Sequence, residues 1–351
     1  MGVGRFVYTP VLPLMHSQAG LSAAGGADLA TANYAGYFAG ALAGILAPAL
    51  VRSRAVLRGS LAVLVASLAA MPAVHGVAAW GGLRLVAGAA SALVFVIAAS
   101  SLLGAADGRS ARLSGWAFGG VGAGIAASGL LVLAVRPIGD WRLAWWAAAV
   151  LAALPAVAAW NLRTAVAAPS GAAAVRRGGG FAALFAAYTL EGLGYIVAGT
   201  FLVAAIDQGS PGPAGGGAWV LVGLAAAPSA ALWARLAGRR PRAALLRTAY
   251  AVQAVGIALP ALLGGVPAAL VSALLFGATF MGISTLALAA GTRLGAPRAV
   301  PLLTAGHSAG QVLGPLVVAP LLHHGYQQAL LPAAGVVAAG ALAVLALPAE
   351  G

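Results

Sequence analysis

The stretch FAALFAAYTLEGLGYIVAGTFLVAAI, residues 181–206, decides the fold of this chain. It contains a single charged residue, Glu191, in an otherwise apolar run. As an α-helix it measures about 39 Å, which is enough to cross a hydrocarbon core about 30 Å thick. Backbone polar groups inside lipid must bond to one another, so a run of this kind must be helical. The sequence therefore predicts a membrane-spanning helix at this position.

The same pattern extends over the whole chain. Of its 351 residues, 62% are hydrophobic and only 7% are charged, and the mean hydropathy is +0.99. A soluble domain is usually about one-quarter charged, so this composition excludes a water-soluble surface. The apolar runs cover residues 1–16, 28–51, 57–75, 77–104, 113–135, 142–161, 181–206, 217–237, 243–264, 267–291, 300–322 and 327–349. The prediction is an all-α polytopic membrane protein with twelve transmembrane helices.

The arginines orient these helices. All 19 basic residues are arginines, and those between the runs concentrate after the even-numbered ones, as with Arg52, Arg54 and Arg58 after the second. The joints after odd-numbered runs carry only Arg136 and Arg142. By the positive-inside rule, the even-numbered joints and both termini are predicted to be cytoplasmic. We expect a multi-pass protein of a bacterial inner membrane.

Composition also limits the partners. The net charge of +13 is spread at intervals and not clustered on one face, so we expect no nucleic-acid partner. The chain has no cysteine, which excludes thiolate metal sites, and no lysine, which excludes a Walker-type phosphate loop. His323 and His324 are adjacent, but without a third ligand they do not predict a metal site. We expect no cofactor, the lipid bilayer as a partner, and a monomer.

The two halves of the chain resemble each other at an offset of about 190 residues. The segment GVGRFV at residues 2–7 aligns with GLGYIV at residues 192–197, and Gly88 precedes Gly277 by 189 residues. Two repeated halves are a transporter architecture, with the substrate near the midplane between them. This predicts an N-terminal six-helix bundle, a cytoplasmic linker and a C-terminal six-helix bundle. Their bounds are residues 1–162, 163–180 and 181–351.

The repeat also bears on the first helix. The seventh run begins near Phe181, so its counterpart would begin about nine residues before Met1. The first run is therefore too short for a full membrane span, and we expect the natural start to lie upstream.

We interpret Arg5, Arg84 and Glu191 as functional intramembrane charges, because charges within a membrane are costly. Glu191, near the midplane of its run, is interpreted as a proton-coupling carboxylate. Arg5 or Arg84 would anchor an anionic group, since a guanidinium binds two carboxylate or phosphate oxygens at once. The first helices of the two halves should meet at the cavity, which predicts an Arg5–Glu191 pair. Such a pair would take part in coupling or would only fix the packing of the halves.

Polar and aromatic residues share helical faces with these charges. Tyr8 follows Arg5 by three residues, and Tyr195 follows Glu191 by four. The other candidate substrate-binding or coupling residues are Asn33, Tyr34, Tyr37, His307 and Gln311. The competing interpretation of these side chains is interhelical hydrogen bonding, at about 1 kcal/mol each.

Several stretches resemble one family. The segment GVGRFVYTPVLPLM at residues 2–15 is similar to the first helix of the YbfB/YjiJ-type major facilitator transporters. Further agreement lies at residues 32–37, 84–94, 188–195 and 310–315. The resemblance covers nearly the whole chain, and it implies the two-bundle major facilitator fold and secondary transport without a settled substrate.

Two superfamily motifs match in part. Arg84 and Gly88 fit the Arg-x-x-x-Gly core of a fourth-helix motif tied to proton coupling, although Ala87 replaces the usual Gln. Residues 310–315 resemble the Gly-x-x-x-Gly-Pro antiporter motif, which normally belongs to the fifth helix. There the chain has Gly120 and Gly124 but no proline, so the direction of transport stays open.

Several functions remain open. The three buried charges favour a proton-linked transporter of an organic anion. The antiporter-like motif and an apolar cavity favour a multidrug-like exporter of apolar or cationic compounds, and a non-transporting, receptor-like relative is a third possibility. A membrane enzyme is disfavoured, because no cluster of His, Asp, Cys or Ser/Lys gathers at one membrane face.

Overall fold

The computed structural model describes residues 2–104, 110–162, 179–296 and 299–347, and within these ranges every regular element is a helix. The α-helices are α1 (Gly2–Phe6), α2 (Tyr8–Ala19), α3 (Ala23–Leu46), α4 (Pro48–Arg52), α5 (Arg54–Ala70), α6 (Val77–Gly104), α7 (Ser110–Val135), α8 (Trp141–Ala159), α9 (Gly179–Gly209), α10 (Ala214–Leu236), α11 (Arg242–Leu262), α12 (Gly265–Arg293), α13 (Ala299–Val318) and α14 (Tyr326–Ala343). Short 3-10 turns extend α5, α13 and α14 at Met71–Ala73, Ala319–His324 and Val344–Ala346.

These helices are long and apolar. Among the described residues, nine helical stretches are long and apolar enough to cross a bilayer, and Gly119–Val135 is a shorter apolar helix. The predicted runs all overlap helix, although the first two are divided, at Val7 and at Ala47. The all-helical, multi-pass class is therefore confirmed, and the count of twelve spans stays a prediction. Of the predicted linker, the structure describes Gly179 and Gly180, which begin α9. Several arginines of the even-numbered joints lie outside the described residues, namely Arg109, Arg163, Arg176, Arg177 and Arg298.

A proline explains the division of the first run. Pro10 has no N–H to donate to the carbonyl of Phe6, and its ring crowds that carbonyl. The carbonyls of Gly4 and Arg5, just before the break, accept hydrogen bonds from Arg84 of α6, at 3.5 and 3.2 Å. A side chain from another helix thus stabilises the backbone where α1 ends.

Glycines set the closest helix contacts, because small residues let backbones approach each other. A Cβ on Gly88 of α6 would collide with the carbonyl oxygen of Asn33 on α3, and one on Gly277 of α12 with that of Val222 on α10. Gly277 and Val222 each lie 189 residues after their counterparts Gly88 and Asn33. The α3–α6 contact therefore recurs as the α10–α12 contact, at the offset of the sequence repeat.

The N-terminal and C-terminal parts of the chain contact each other mainly through α7 with α10, α3 with α13, and α2 with α9. In the α7–α10 contact, a Cβ on Gly122 would press on the carbonyl oxygen of Gly223. The central helix α9 is buried on all sides from Gly194 to Ile206, whereas Phe185 in its first half is 37% exposed. The two parts thus enclose the second half of α9 more completely than the first.

Candidate functional site

Most candidate residues gather where α1, α3, α9 and α13 meet. The side chains come from both parts of the chain, and each has a relative exposure between 0% and 8%. They are Arg5 of α1, Tyr34 and Tyr37 of α3, Glu191 and Tyr195 of α9, and His307 and Gln311 of α13.

Arg5 forms the positive part of this site. Its Cζ lies 5.2, 5.4 and 4.1 Å from the ring centroids of Phe6, Tyr34 and Tyr37. One terminal nitrogen, Nη2, donates a hydrogen bond to Oε1 of Gln311, whereas the buried Nε has no partner. Within the described chain no carboxylate pairs with this guanidinium. Cation–π contacts of about 0.5–2 kcal/mol each offset only part of the free-energy cost of desolvating this charge. The Arg5 guanidinium therefore suits an anionic ligand.

Glu191 forms the acidic part of the site together with His307. Oε2 of Glu191 lies 3.1 Å from Nδ1 of His307, and the carboxylate has no exposed surface. The same nitrogen lies 3.2 Å from the carbonyl oxygen of Tyr188. The imidazole is stacked between Tyr188, at 4.2 Å, and Tyr195, at 5.3 Å. Neither carboxylate oxygen of Glu191 has a hydrogen-bond partner, so the imidazole is a close neighbour of the carboxylate without satisfying it.

The predicted Arg5–Glu191 pair is wrong. Arg5 binds Gln311, and Glu191 lies against His307. These two partners are four residues apart on α13, which places them one turn apart on the same face. The two charges thus interact with one helix instead of with each other.

The remaining three candidates, Tyr8, Asn33 and Arg84, form a separate group. The Cζ of Arg84 lies 5.0 Å from the ring of Tyr8, and the backbone carbonyl of Arg84 accepts a hydrogen bond of 2.7 Å from Asn33 Nδ2. The Tyr8 hydroxyl donates to the Gly26 carbonyl at 2.8 Å. The ring of Tyr8 therefore packs on Arg84 and not on Arg5 as its spacing indicated. This group holds the first helices against α3 and α6.

Two threonines that the sequence reasoning did not single out join the halves next to the site. The Thr200 hydroxyl of α9 lies 2.8 Å from the Tyr34 hydroxyl of α3. The Thr9 hydroxyl of α2 donates to the Gly199 carbonyl of α9 at 2.5 Å. Threonine is common inside membrane helices, so its identity alone carried no signal.

A polytopic helical bundle with buried charges where its N- and C-terminal helices meet defines the class of a major facilitator superfamily transporter. A solved structure of the human organic anion transporter MFSD10 (TETRAN) shares this fold, with a TM-score of 0.65 at 15% identity over 98% of this chain and 97% of that chain. The chain belongs to the family described as uncharacterised MFS-type transporter YbfB, whose profile matches residues 1–347. The resemblance predicted from residues 2–15 and the other stretches is thereby confirmed. Comparison with the curated proteins gives no match.

Family membership makes this chain an integral membrane transporter with several transmembrane helices. Transporters of this superfamily are in general not enzymes.

Proposed function

We propose that the chain is a proton-linked secondary carrier that moves a small organic anion by alternating access. The observation that carries the proposal is Arg5, a buried guanidinium with a free Nε and no carboxylate partner among the described residues. A buried charge needs an opposite charge nearby, and an anionic solute would supply it. The solved relative MFSD10 is named an organic anion transporter, which agrees with this assignment.

The proposed architecture has twelve membrane helices in two bundles, residues 1–162 and 181–351, joined by a cytoplasmic segment at 163–180. Support comes from the recurring glycine contact and from the alternating arginines, which put both termini in the cytoplasm. The carrier works as a monomer in a bacterial inner membrane and needs no cofactor other than the coupling proton. Rocking of the bundles would open the site where α1 and α3 meet α9 and α13.

The proposed coupling residue is Glu191. Proton binding to the Glu191–His307 pair adds one positive charge in a closed, apolar site. His307 and Gln311 share one face of α13, and Gln311 binds Arg5. A change in charge at the pair would therefore alter the position of Gln311 and the affinity of Arg5 for an anion.

Ligand-induced thermal stabilisation tests the anion site. Purified protein is heated with a panel of small carboxylates and, for comparison, with lipophilic cations such as tetraphenylphosphonium. A bound ligand at about 100 times its Kd stabilises by about 2.7 kcal/mol. We expect a carboxylate to stabilise the wild type, the exposed control Arg239→Gln to behave in the same way, and Arg5→Gln to lose the effect.

Two other results would redirect the assignment. Stabilisation by cations alone, unchanged in Arg5→Gln, would favour the multidrug-like exporter and reduce Arg5 to a packing residue. Binding of a carboxylate without counterflow in liposomes would favour a receptor-like protein, since only a carrier exchanges labelled for unlabelled ligand.

A further inference from the structure

Aromatic rings are concentrated around the proposed anion site. Phe, Trp and Tyr make up only 7% of the chain, and its helices pack elsewhere largely through small and aliphatic residues. At this site, however, eight rings are connected by contacts. Phe6, Tyr34 and Tyr37 surround Arg5, and Tyr188, His307, Tyr195, Phe280 and Phe276 form a stack in the C-terminal part.

The C-terminal rings are nearly parallel. Tyr195 lies 5.1 Å from Phe280 and 6.3 Å from Phe276, with interplanar angles of 20° and 19°. Phe276 and Phe280 are 6.2 Å apart at 10°. These separations are those of offset-stacked aromatic pairs, which are more favourable than their buried area alone explains. A stack of this kind presents ring faces, which a further flat ring can extend.

One contact connects this stack to Arg5. The ring of Phe6, the residue after Arg5, lies 5.9 Å from that of Phe280 at an angle of 78°. Phe6 belongs to α1 and Phe280 to α12, so opening of the site between the bundles separates these two rings. Such opening would free the ring of Phe280, and the guanidinium of Arg5, with its unpartnered Nε, is one residue from Phe6.

We infer that the transported solute is an arene carboxylate, a flat aromatic ring bearing one carboxylate. This inference rests on the proposed function and adds the chemistry of the rest of the solute. The carboxylate binds the Nε edge of Arg5, and the ring replaces Phe6 against Phe280. An aliphatic acid of equal size satisfies the charge but loses the stacking.

A matched pair of acids tests the inference. Benzoate and cyclohexanecarboxylate have the same charge and similar size, but only benzoate has a π face. We expect isothermal titration calorimetry to give a Kd about two- to tenfold lower for benzoate with the wild type. Phe280→Leu keeps an apolar side chain without a ring and should bring the two affinities within about twofold.

Phe201→Leu is the matched control. Phe201 is as buried as Phe280, but its ring packs on Tyr326 at 5.7 Å instead of on the stack, so the variant should keep the preference for benzoate. If Phe280→Leu does not fold, the ratio of the two Kd values in the wild type tests the preference for an aromatic ring on its own.

The outcomes separate the two proposals. If the wild type bound both acids with equal affinity, and Arg5→Gln lost both, the arene inference would be overturned and the anion proposal would stand. Failure of both acids, together with every other carboxylate of the panel, to bind would overturn the anion proposal and this inference with it.

Discussion

At the scale of single residues, the carboxylate of Glu191 and the imidazole of His307 lie 3.1 Å apart with no exposed carboxylate surface. Tyr188 and Tyr195 enclose the imidazole from both sides, and Arg5 is the charged group proposed to respond through Gln311. Under the proposed mechanism, a proton would reach this buried site only when the bundles open, as coupling to a proton gradient requires.

We expect Glu191→Gln to abolish pH-driven accumulation of the solute but to preserve exchange. The amide has nearly the shape of the carboxylate but takes up no proton, so loaded carriers still reorient while the gradient no longer drives them. Proteoliposomes with an imposed pH gradient measure accumulation, and counterflow at equal pH measures exchange. Asp28→Asn, which removes an exposed carboxylate, is the control. Accumulation at the wild-type level in Glu191→Gln would contradict the assignment.

The sequence identifies these residues but not their partners. A charge in an apolar run is visible in the sequence, so Arg5, Arg84 and Glu191 stand out from composition alone. Partner choice depends on how α13 is rotated and how deep it lies, and the repeat does not determine this. The pairing of Arg5 with Gln311 and of Glu191 with His307 is therefore a result of helix packing that the sequence does not reveal.

At the scale of helices, the two buried arginines have different tasks. Arg84 donates to the carbonyls of Gly4 and Arg5, where α1 ends, whereas Arg5 donates to the side chain of Gln311, and the Nε of each arginine has no partner. In the sequence both arginines have the same interpretation, because each is a lone cation in an apolar run. The interruption of the first run at Val7 follows from Pro10, whose effect on its neighbours is local and could have been predicted.

We expect Arg84→Gln to lower the free energy of unfolding by about 1–3 kcal/mol, because two buried carbonyls lose their charged donor. Thermal unfolding in detergent measures the loss, and Arg239→Gln again serves as the exposed control. Carboxylate binding to the folded fraction should persist, in contrast to Arg5→Gln. If Arg84→Gln kept the wild-type melting temperature but lost carboxylate binding, Arg84 would instead be a ligand anchor.

The glycine contact between α3 and α6 allows a second test at this scale. Gly88→Ala places a methyl group against the Asn33 carbonyl and should cost about 1–3 kcal/mol, because the two helices must separate. Gly82→Ala on the same helix is the matched control, since a Cβ there meets no atom within 4 Å. Differential scanning fluorimetry compares the two variants. Equal melting temperatures would show that this contact does not limit the approach of the helices.

At the scale of the whole molecule, an ion pair joins the two parts of the chain at one end of the bundle. Arg136, which follows α7, lies 2.8 Å from Asp207 of α9 and also donates to the Gly212 carbonyl at 2.5 Å. Asp207 directly follows the stretch of α9 from Gly194 to Ile206 that is buried on all sides, whereas Gln208 and Gly209 are exposed. Under the proposed alternating access, this pair would separate when the site opens at this end.

We expect Asp207→Asn to raise the fraction of molecules open at this end by about two- to fivefold, since a partly exposed pair contributes up to about 1 kcal/mol. The chain has no cysteine, so Ile206→Cys, at a buried position, provides a unique reporter for a membrane-impermeant maleimide. The Ile206→Cys protein should be labelled faster when it also carries Asp207→Asn. Asp140→Asn is the control, because its 3.7 Å pair with Arg142 lies within one segment. An unchanged labelling rate would show that the Arg136–Asp207 pair does not hold this end closed.

Composition was enough to predict the class of the molecule. Apolar runs and sparse charges follow directly from the solvent that the surface must face, and the 189-residue offset reappears in the contacts of Gly88 and Gly277. The ion pair between Arg136 and Asp207 was not predicted, because the two residues are 71 positions apart and both lie at helix ends, where charged residues are common.

The bond between Arg84 and the first helix has a consequence for biosynthesis. Arg84 follows Arg5, whose carbonyl it binds, by 79 residues. While the chain is being made, the first helix enters the lipid well before α6 leaves the ribosome, and an unsatisfied carbonyl in hydrocarbon costs several kcal/mol. We therefore expect the first helix to reach its final shape late, staying beside the insertion machinery or keeping a water molecule on these carbonyls until α6 arrives.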